Sequence, residues 1–433
     1  MQRRNMQARY VLGVIATLVA VGVPVGVTSA AAERSGDVVR TWNALALDAA
    51  RKGNASDARA ARLYAMVNVA IFDAVNGLEP AAQQREAALV EPVPGTSGDQ
   101  IAAAAGAAHD VLVALDPARS ADYDAQLARD LDSVRSTGQG EHGRAWGGRV
   151  AAAVLDARSD DGSSPNQSQP AGTGIGVFRG SWSGVQFRNL EPFAVADTEE
   201  YLGDGPPALE SPAYAAAYDE VKFLGDSQRS DPAASATFAF WALSTGTGQP
   251  PGAWVQVART VSAERDLSLT DTARLMALQT MAMADTVAPT YGTKFEHRFW
   301  RPQTAINEGD ADGNDATIGD TEWRPRAGGP GTSPEHWSGH SSFSAAGASI
   351  VAGFLCTDDV TFTLRSDSTG TSRTFTSLSS AAAEAGRSRV LGGIHFDFSN
   401  QAGLDAGRAI ADEVLRTALR PVNAHVDDDA CTA

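Results

Sequence analysis

The sequence predicts an all-α protein made of helical bundles joined by long loops, with two successive four-helix bundles as one arrangement open to it. Alanine-rich segments with apolar residues at three-and-four spacing recur along the chain. Alternating apolar and polar runs are few and short. Gly and Pro punctuate the periodic segments at helix-like intervals.

The clearest helix is predicted over 58–76, where Leu63, Met66, Val67, Ala70, Ile71, Ala74 and Val75 form one wide stripe and Gly77 supplies a stop. Similar patterns predict helices over 98–114, 120–135, 141–158, 211–224, 231–244, 254–264 and 269–287. Between 159 and 209 the chain turns rich in Gly, Pro, Ser and Asn, yet carries Phe178, Trp182, Phe187 and Phe193. Such a loop is packed. It is either a cover over an active site or an ordinary connection. The segment 360–376, with Val360, Phe362 and Leu364 among Thr and Ser, suits a small hairpin. No internal repeat stands out.

The N-terminus reads as a secretory signal over 1–32. Arg3, Arg4 and Arg9 precede an apolar run from Val11 to Val27 that contains Pro24 and ends in Ser29-Ala30-Ala31-Ala32. A membrane anchor is the alternative, disfavoured by the proline and by the small residues where a basic flank belongs. The body, 33–433, divides into N-terminal helices with the aromatic loop (33–209) and a C-terminal part (210–433) that carries the unusual polar residues. The formal charge of −17 becomes about −20 without the three signal arginines. Such a surface repels nucleic acid and acidic membranes. Cys356 and Cys431 suit one bridge in an oxidising compartment, with free thiols as the other reading.

Three islands carry the chemistry. Lys294 and Arg301 stand seven residues apart, two helical turns, so a continuous helix puts both cations on one face; Pro302 then bends or stops it. In Trp337-Ser338-Gly339-His340, Ser338 caps the apolar helix that follows, and the Gly339 amide offers an anion a donor at the helix N-terminus. His340 stands beside that position as an acid or base. In the third island, Ser388-Arg389 and His395 flank Gly392-Gly393, which let the chain turn or pack closely. Three cations, an amide and a hydroxyl suit a multiply charged tetrahedral oxyanion, with two histidines at hand.

Order and spacing matter more than any one island. Lys-x6-Arg-Pro, Ser-Gly-His after 35 further residues, then Ser-Arg-x5-His after 47 more, resembles the three-part signature of the vanadium-dependent haloperoxidase and type 2 phosphatidic acid phosphatase superfamily. Trp42-Asn43 and the run 65–76 resemble the N-terminal helices of its secreted bacterial haloperoxidase-like branch. The resemblance implies that Lys294, Arg301, Ser338, Gly339 and Arg389 bind the oxygens of vanadate. It makes His395 the axial vanadium ligand, His340 the acid-base histidine and Lys294 a catalytic polarising cation. Hydrogen peroxide and a halide are the implied substrates, hypohalous acid or an equivalent species the product, and an organic acceptor is possible.

Phosphate occupies the same kind of site, so an acid phosphatase, with His395 as nucleophile and His340 as acid, is the alternative reading. A silent oxyanion binder is the third. Two departures bear on the choice: Trp337 stands where the family has Pro, and Ser399 where it often has an Asp that orients the last histidine. Asp397, two residues on, faces elsewhere if the segment is helical. The run 310–315 has oxygen ligands at alternate positions, but Gly313 and Thr321 break the calcium-loop pattern, and a solvated turn is the better reading. His297 and His336 either shape halide access or pack. Halide preference and oligomeric state are not written in the sequence.

Overall fold

The computed structural model describes residues 37–93 and 95–422. The segment read as a signal lies outside the described residues, as does Cys431, and with it the expected bridge to Cys356.

Helices dominate. The chain opens with α1 (Asp37–Lys52), α2 (Asp57–Asn76), α3 (Gln100–Leu115), α4 (Ser120–Ser133) and α5 (Thr137–Ala157). After a long excursion come α6 (Pro212–Leu224), α7 (Pro232–Phe240), α8 (Gln249–Glu264), α9 (Leu269–Asp285), α10 (Val287–His297) and α11 (Pro302–Asn307). The last three helices are α12 (Gly339–Leu355), α13 (Leu378–Leu391) and α14 (Asp397–Thr417). Ser338 caps α12 as expected, and Ser56, Asp99, Ser211 and Ser268 do the same for their helices, each accepting a bond from the amide three residues on. The expected hairpin is β3 (Phe362–Arg365) with β4 (Ser372–Phe375), following the two-residue strands β1 (Ser168–Gln169) and β2 (Trp182–Ser183) in the long loop.

Several boundaries depart from the periodicity, among them the start of α5 at Thr137 rather than 141. α8 begins at Gln249 rather than 254, because Pro250 and Pro251 fall in the first turn, where a missing amide costs nothing. The stretch from 269 turns at Thr286 into a separate helix, α10. α7 stops at Phe240, four residues early, and Leu243 takes a left-handed φ of 43°. That break frees the carbonyls of Trp241 and Ala242 for other partners.

α3 packs most extensively on α5, and α12 on α14, while α2 lies along α9 and joins the N-terminal helices to the C-terminal ones. One apolar cluster runs through both groups, from Trp42 and Phe72 to Phe343 and Val414. The α12–α14 contact depends on small residues. A Cβ on Gly403 would sit 2.5 Å from the Ser338 carbonyl oxygen, and one on Gly407 2.3 Å from that of Ser342. Backbone therefore meets backbone where the Ser-Gly-His island begins its helix.

A second cluster of Tyr214, Tyr218, Phe299, Trp300, Trp323 and Phe396 forms a separate apolar bed. The 159–209 loop is packed as expected, with Phe178, Trp182 and Phe187 buried. Asp285, the last residue of α9, binds it by accepting the amides of Phe193, Ala194 and Val195 at 2.6 to 3.0 Å. In the N-terminal half Asp73 does the same for Ala88, Leu89 and Val90 at 2.8 to 2.9 Å. Two long excursions are thus stapled by buried carboxylates, one to the helix that precedes it and one to a helix that follows it in sequence.

Candidate active site

Lys294 lies in the last turn of α10, but the helix does not carry on to Arg301. Arg298 caps it in a left-handed conformation (φ 47°), an extended stretch follows, and Arg301 is the N-cap of α11 with Pro302 at the first helical position. The single continuous helix expected from the seven-residue spacing is therefore replaced by a break. Both side chains nevertheless enter one cavity of about 470 Å³, which Gly339, His340, Arg389 and His395 also line.

Each cation is aimed by backbone carbonyls. Lys294 Nζ donates to the carbonyls of Pro334 (2.5 Å) and Glu335 (3.1 Å). Arg301 donates through Nε to the Ser333 carbonyl (2.8 Å), and through one terminal nitrogen to the Ile394 carbonyl (2.6 Å) and to His395 Nε2 (2.9 Å). Arg389, in the last turn of α13, donates to the Trp241 carbonyl at 3.1 Å, and its buried Nε has no partner among the described residues. Burial pushes Arg301 down to about 10 and Arg389 to about 9, and it holds Lys294 well below the usual lysine range, with Arg301 adding to the effect. Three buried cations that disfavour their own charge are a site for an anion.

The two imidazoles are in different surroundings. Arg301 has only donors, so His395 Nε2 accepts; Nδ1 then carries the proton and donates to Glu335 Oε1 at 2.9 Å. His340 is aimed by the Ala242 carbonyl, 3.2 Å from its Nε2. Burial, with nearby arginines, holds both histidines well below the ordinary value, so both are neutral near pH 7. The third island turns at Gly393, whose φ of 74° and close approach to the Gly225 carbonyl exclude a side chain.

Lys294, Arg301, Gly339, His340, Arg389 and His395 are thus brought together. Ser338 sits just beneath the lining, fully buried, where its hydroxyl caps α12 through the Ser341 amide (3.4 Å) and bonds with the Ser341 hydroxyl (2.9 Å). Trp337 is buried away from the cavity and donates to Thr290 Oγ1 at 2.9 Å. His336 packs against His297 and Phe398, and neither His336 nor His297 lines the cavity. No residue of the aromatic loop lines it either; the wall comes instead from the 242–249 stretch after α7 and from 327–333. In the 310–315 run, Asp312 accepts from the Thr317 hydroxyl and the Asn314 amide, and Asp310 from the Gly319 amide, bonds that close the turn on itself.

Two acidic residues went unread in the sequence. Asp57, at the first position of α2, lines the cavity and accepts from the Tyr291 hydroxyl at 2.8 Å, so the N-terminal helices contribute to the site. Glu335, fully buried, meets His395 from behind. Its position three residues before Ser338 is the only sequence signal that pointed to it.

The chain is thus a helical-bundle protein in which three cations and two imidazoles converge on one cavity. Residues 274–424, which hold all three islands, match the family described as the VCPO second helical-bundle domain. That match covers the C-terminal part of the chain, the part whose three islands carry the resemblance to the vanadium haloperoxidase and type 2 phosphatidic acid phosphatase superfamily.

Among solved structures, the fold is similar to that of a bacterial vanadium-dependent iodoperoxidase, at TM-score 0.75 and 18% identity over 90% of this chain and 99% of that one. It is also similar to a bacterial vanadium-dependent chloroperoxidase in its holo form, at TM-score 0.63 and 15% identity over 83% of this chain and 92% of the other. The apo form of a bacterial vanadium-dependent chloroperoxidase gives TM-score 0.61 at 14% identity, over 82% and 92% of the two chains. No curated protein matches the chain.

Proposed function

We propose that the protein is an exported vanadate-dependent haloperoxidase, which uses hydrogen peroxide to oxidise a halide to hypohalous acid or an equivalent halogenating species. The observation that carries this reading is the convergence of Lys294, Arg301 and Arg389 on one cavity beside two neutral histidines. The fold shared with bacterial vanadium haloperoxidases adds to it.

The residues fit vanadate. The partnerless Nε of Arg389 is a buried donor that an oxyanion oxygen would satisfy. Lys294, Arg301, Arg389 and the Gly339 amide would hold the oxygens, with Ser338 supporting the helix start, and His395 would supply the ligand nitrogen. Bound there, vanadate supplies a Lewis-acidic centre that activates hydrogen peroxide. His340, neutral and fixed by the Ala242 carbonyl, takes and returns the proton. The fixed cations stabilise charge developing on the oxyanion without reorganising.

A second reading is favoured by one observation. Glu335 gives His395 a buried carboxylate partner despite Ser399, which is what a histidine nucleophile of an acid phosphatase needs. The same carboxylate removes the motive for a silent binder.

One preparation of purified protein decides between them. It is assayed for bromination of a phenol-type dye with peroxide and bromide, with and without orthovanadate, and then for hydrolysis of a chromogenic phosphate ester. Vanadate-dependent bromination is expected. Ester hydrolysis without bromination would replace this reading by the phosphatase, and absence of both would leave an oxyanion binder.

A further inference from the structure

We infer that Glu335 is the positioning carboxylate of His395, standing in for the acid that the resemblance expected at position 399, and that it fixes which imidazole nitrogen faces the oxyanion cavity. The inference rests on the proposed oxyanion chemistry for its consequence, but not for its geometry.

Glu335 Oε1 accepts from His395 Nδ1 and from the Phe396 amide, both at 2.9 Å. The carboxylate therefore grips the imidazole and the backbone beside it at once, which fixes both ring plane and tautomer. With the proton on Nδ1, the Nε2 lone pair is the one turned to Arg301 and the cavity. The other tautomer would leave two lone pairs, on Nδ1 and Oε1, facing each other in a buried site.

Position 399 supports the assignment. Ser399, also fully buried, donates to the Glu335 carbonyl at 3.2 Å and has its hydroxyl 3.5 Å from His395 Nδ1. An aspartate there would bring a second buried carboxylate against Glu335, a like-charge pair that the fold cannot keep ionised. Serine at 399 and glutamate at 335 are thus one solution, and aspartate at 399 is another.

The same segment serves the cations. Ser333, Pro334 and Glu335 offer carbonyls to Arg301 and Lys294, so one stretch of three residues aims two cations and a histidine. A purely structural role for Glu335, as counter-ion to Lys294 and Arg301, would stabilise the fold without selecting a tautomer.

The test compares wild type, E335A, E335Q and E335A/S399D in the full-length protein. The tautomer of His395 is read by long-range proton–nitrogen NMR on protein labelled at histidine nitrogen, with the signal assigned by its loss in His395→Asn. Orthovanadate affinity is read by equilibrium dialysis with elemental vanadium as the signal. Wild type is expected to carry its proton on Nδ1. E335A should lose that single tautomer and bind vanadate roughly 10- to 100-fold more weakly, the range for loss of a residue behind a metal-binding histidine. E335A/S399D should recover the tautomer and most of the affinity.

Should E335A fail to fold, E335Q carries the test, because its amide oxygen still accepts from Nδ1: the tautomer should persist, with most of the vanadate affinity. An unchanged tautomer in folded E335A, no recovery on adding S399D, or loss of the single tautomer in E335Q would each overturn the inference. The NMR arm needs no turnover, so failure of the haloperoxidase reading shows separately, as wild type that binds vanadate without brominating.

Discussion

The carbonyl oxygen of Ala242 lies 3.2 Å from Nε2 of His340, and the preceding carbonyl, of Trp241, takes a hydrogen bond from Arg389 at 3.1 Å. Two residues from different islands are thus aimed by consecutive peptide groups of a stretch that carries no motif. They are available because α7 stops at Phe240, so no continuing helix takes the two carbonyls that follow it.

This arrangement makes His340 a fixed proton carrier rather than a binder. His340→Ala is expected to lower kcat for bromination by roughly 10²- to 10⁴-fold, the usual worth of a positioned acid-base group. Vanadate affinity should change far less. Steady-state kinetics beside equilibrium dialysis check the split, and equal loss in both would remove the proton-transfer role.

Arg389 is expected to act on binding first. Its Nε is a buried donor without a partner, and a bond from a charged donor is worth about 1.5–3 kcal/mol. Arg389→Lys keeps a charge but loses the planar fork, so vanadate and phosphate should both bind more than about tenfold more weakly. Calorimetric titration with phosphate gives the answer, and an unaltered affinity would place the anion elsewhere.

Gly403→Ala probes the helix contact beneath the site. The added methyl would meet the Ser338 carbonyl at 2.5 Å, so α12 and α14 must separate. Overpacking of this kind costs about 1–3 kcal/mol. Thermal unfolding should register that loss, accompanied by weaker oxyanion binding because Gly339 begins the displaced helix. Wild-type stability would show that the interface yields freely.

His109 gives a pH signature remote from the cavity. Its two nitrogens are bracketed by Asp110 and Asp124, each at 2.7 Å, and the bond to Asp110 leads in holding its pKa above the ordinary 6.5. A raised histidine stabilises the fold fully below the unfolded pKa, and the contribution disappears as pH rises through the folded value. Asp124 is largely exposed, so screening keeps the effect to about 1 kcal/mol or less. His109→Gln should therefore lower the unfolding midpoint at pH 5.5 and have little effect at pH 9. A pH-independent difference would count against the charged pair.

Most of the helices and the three islands were legible because periodicity, caps and motif spacing are local properties. What escaped depends on tertiary placement. Nothing in the Lys294–Arg301 spacing distinguishes one helix from two with a left-handed Arg298 between them. The early end of α7 follows from partners for Trp241 and Ala242 that lie about a hundred residues or more downstream. Ser399 looked like a lost carboxylate because sequence reading sought its replacement nearby, whereas Glu335 arrives from 60 residues upstream of His395. Asp57 reads as a helix-start acid, and only the approach of α2 to α10 brings it to the cavity.

The carboxylates of Asp73 and Asp285 have a consequence for how the chain tolerates change. Each grips three successive amides in the middle of a long connection, so the backbone of that connection is fixed to a helix at that point. The surface stretches beyond them, around 95–98 and 196–210, are natural places for such a scaffold to lengthen, shorten or acquire new contacts while the cavity keeps its shape. The two grips act as mooring points that separate the parts of the molecule free to drift from the part that must hold still.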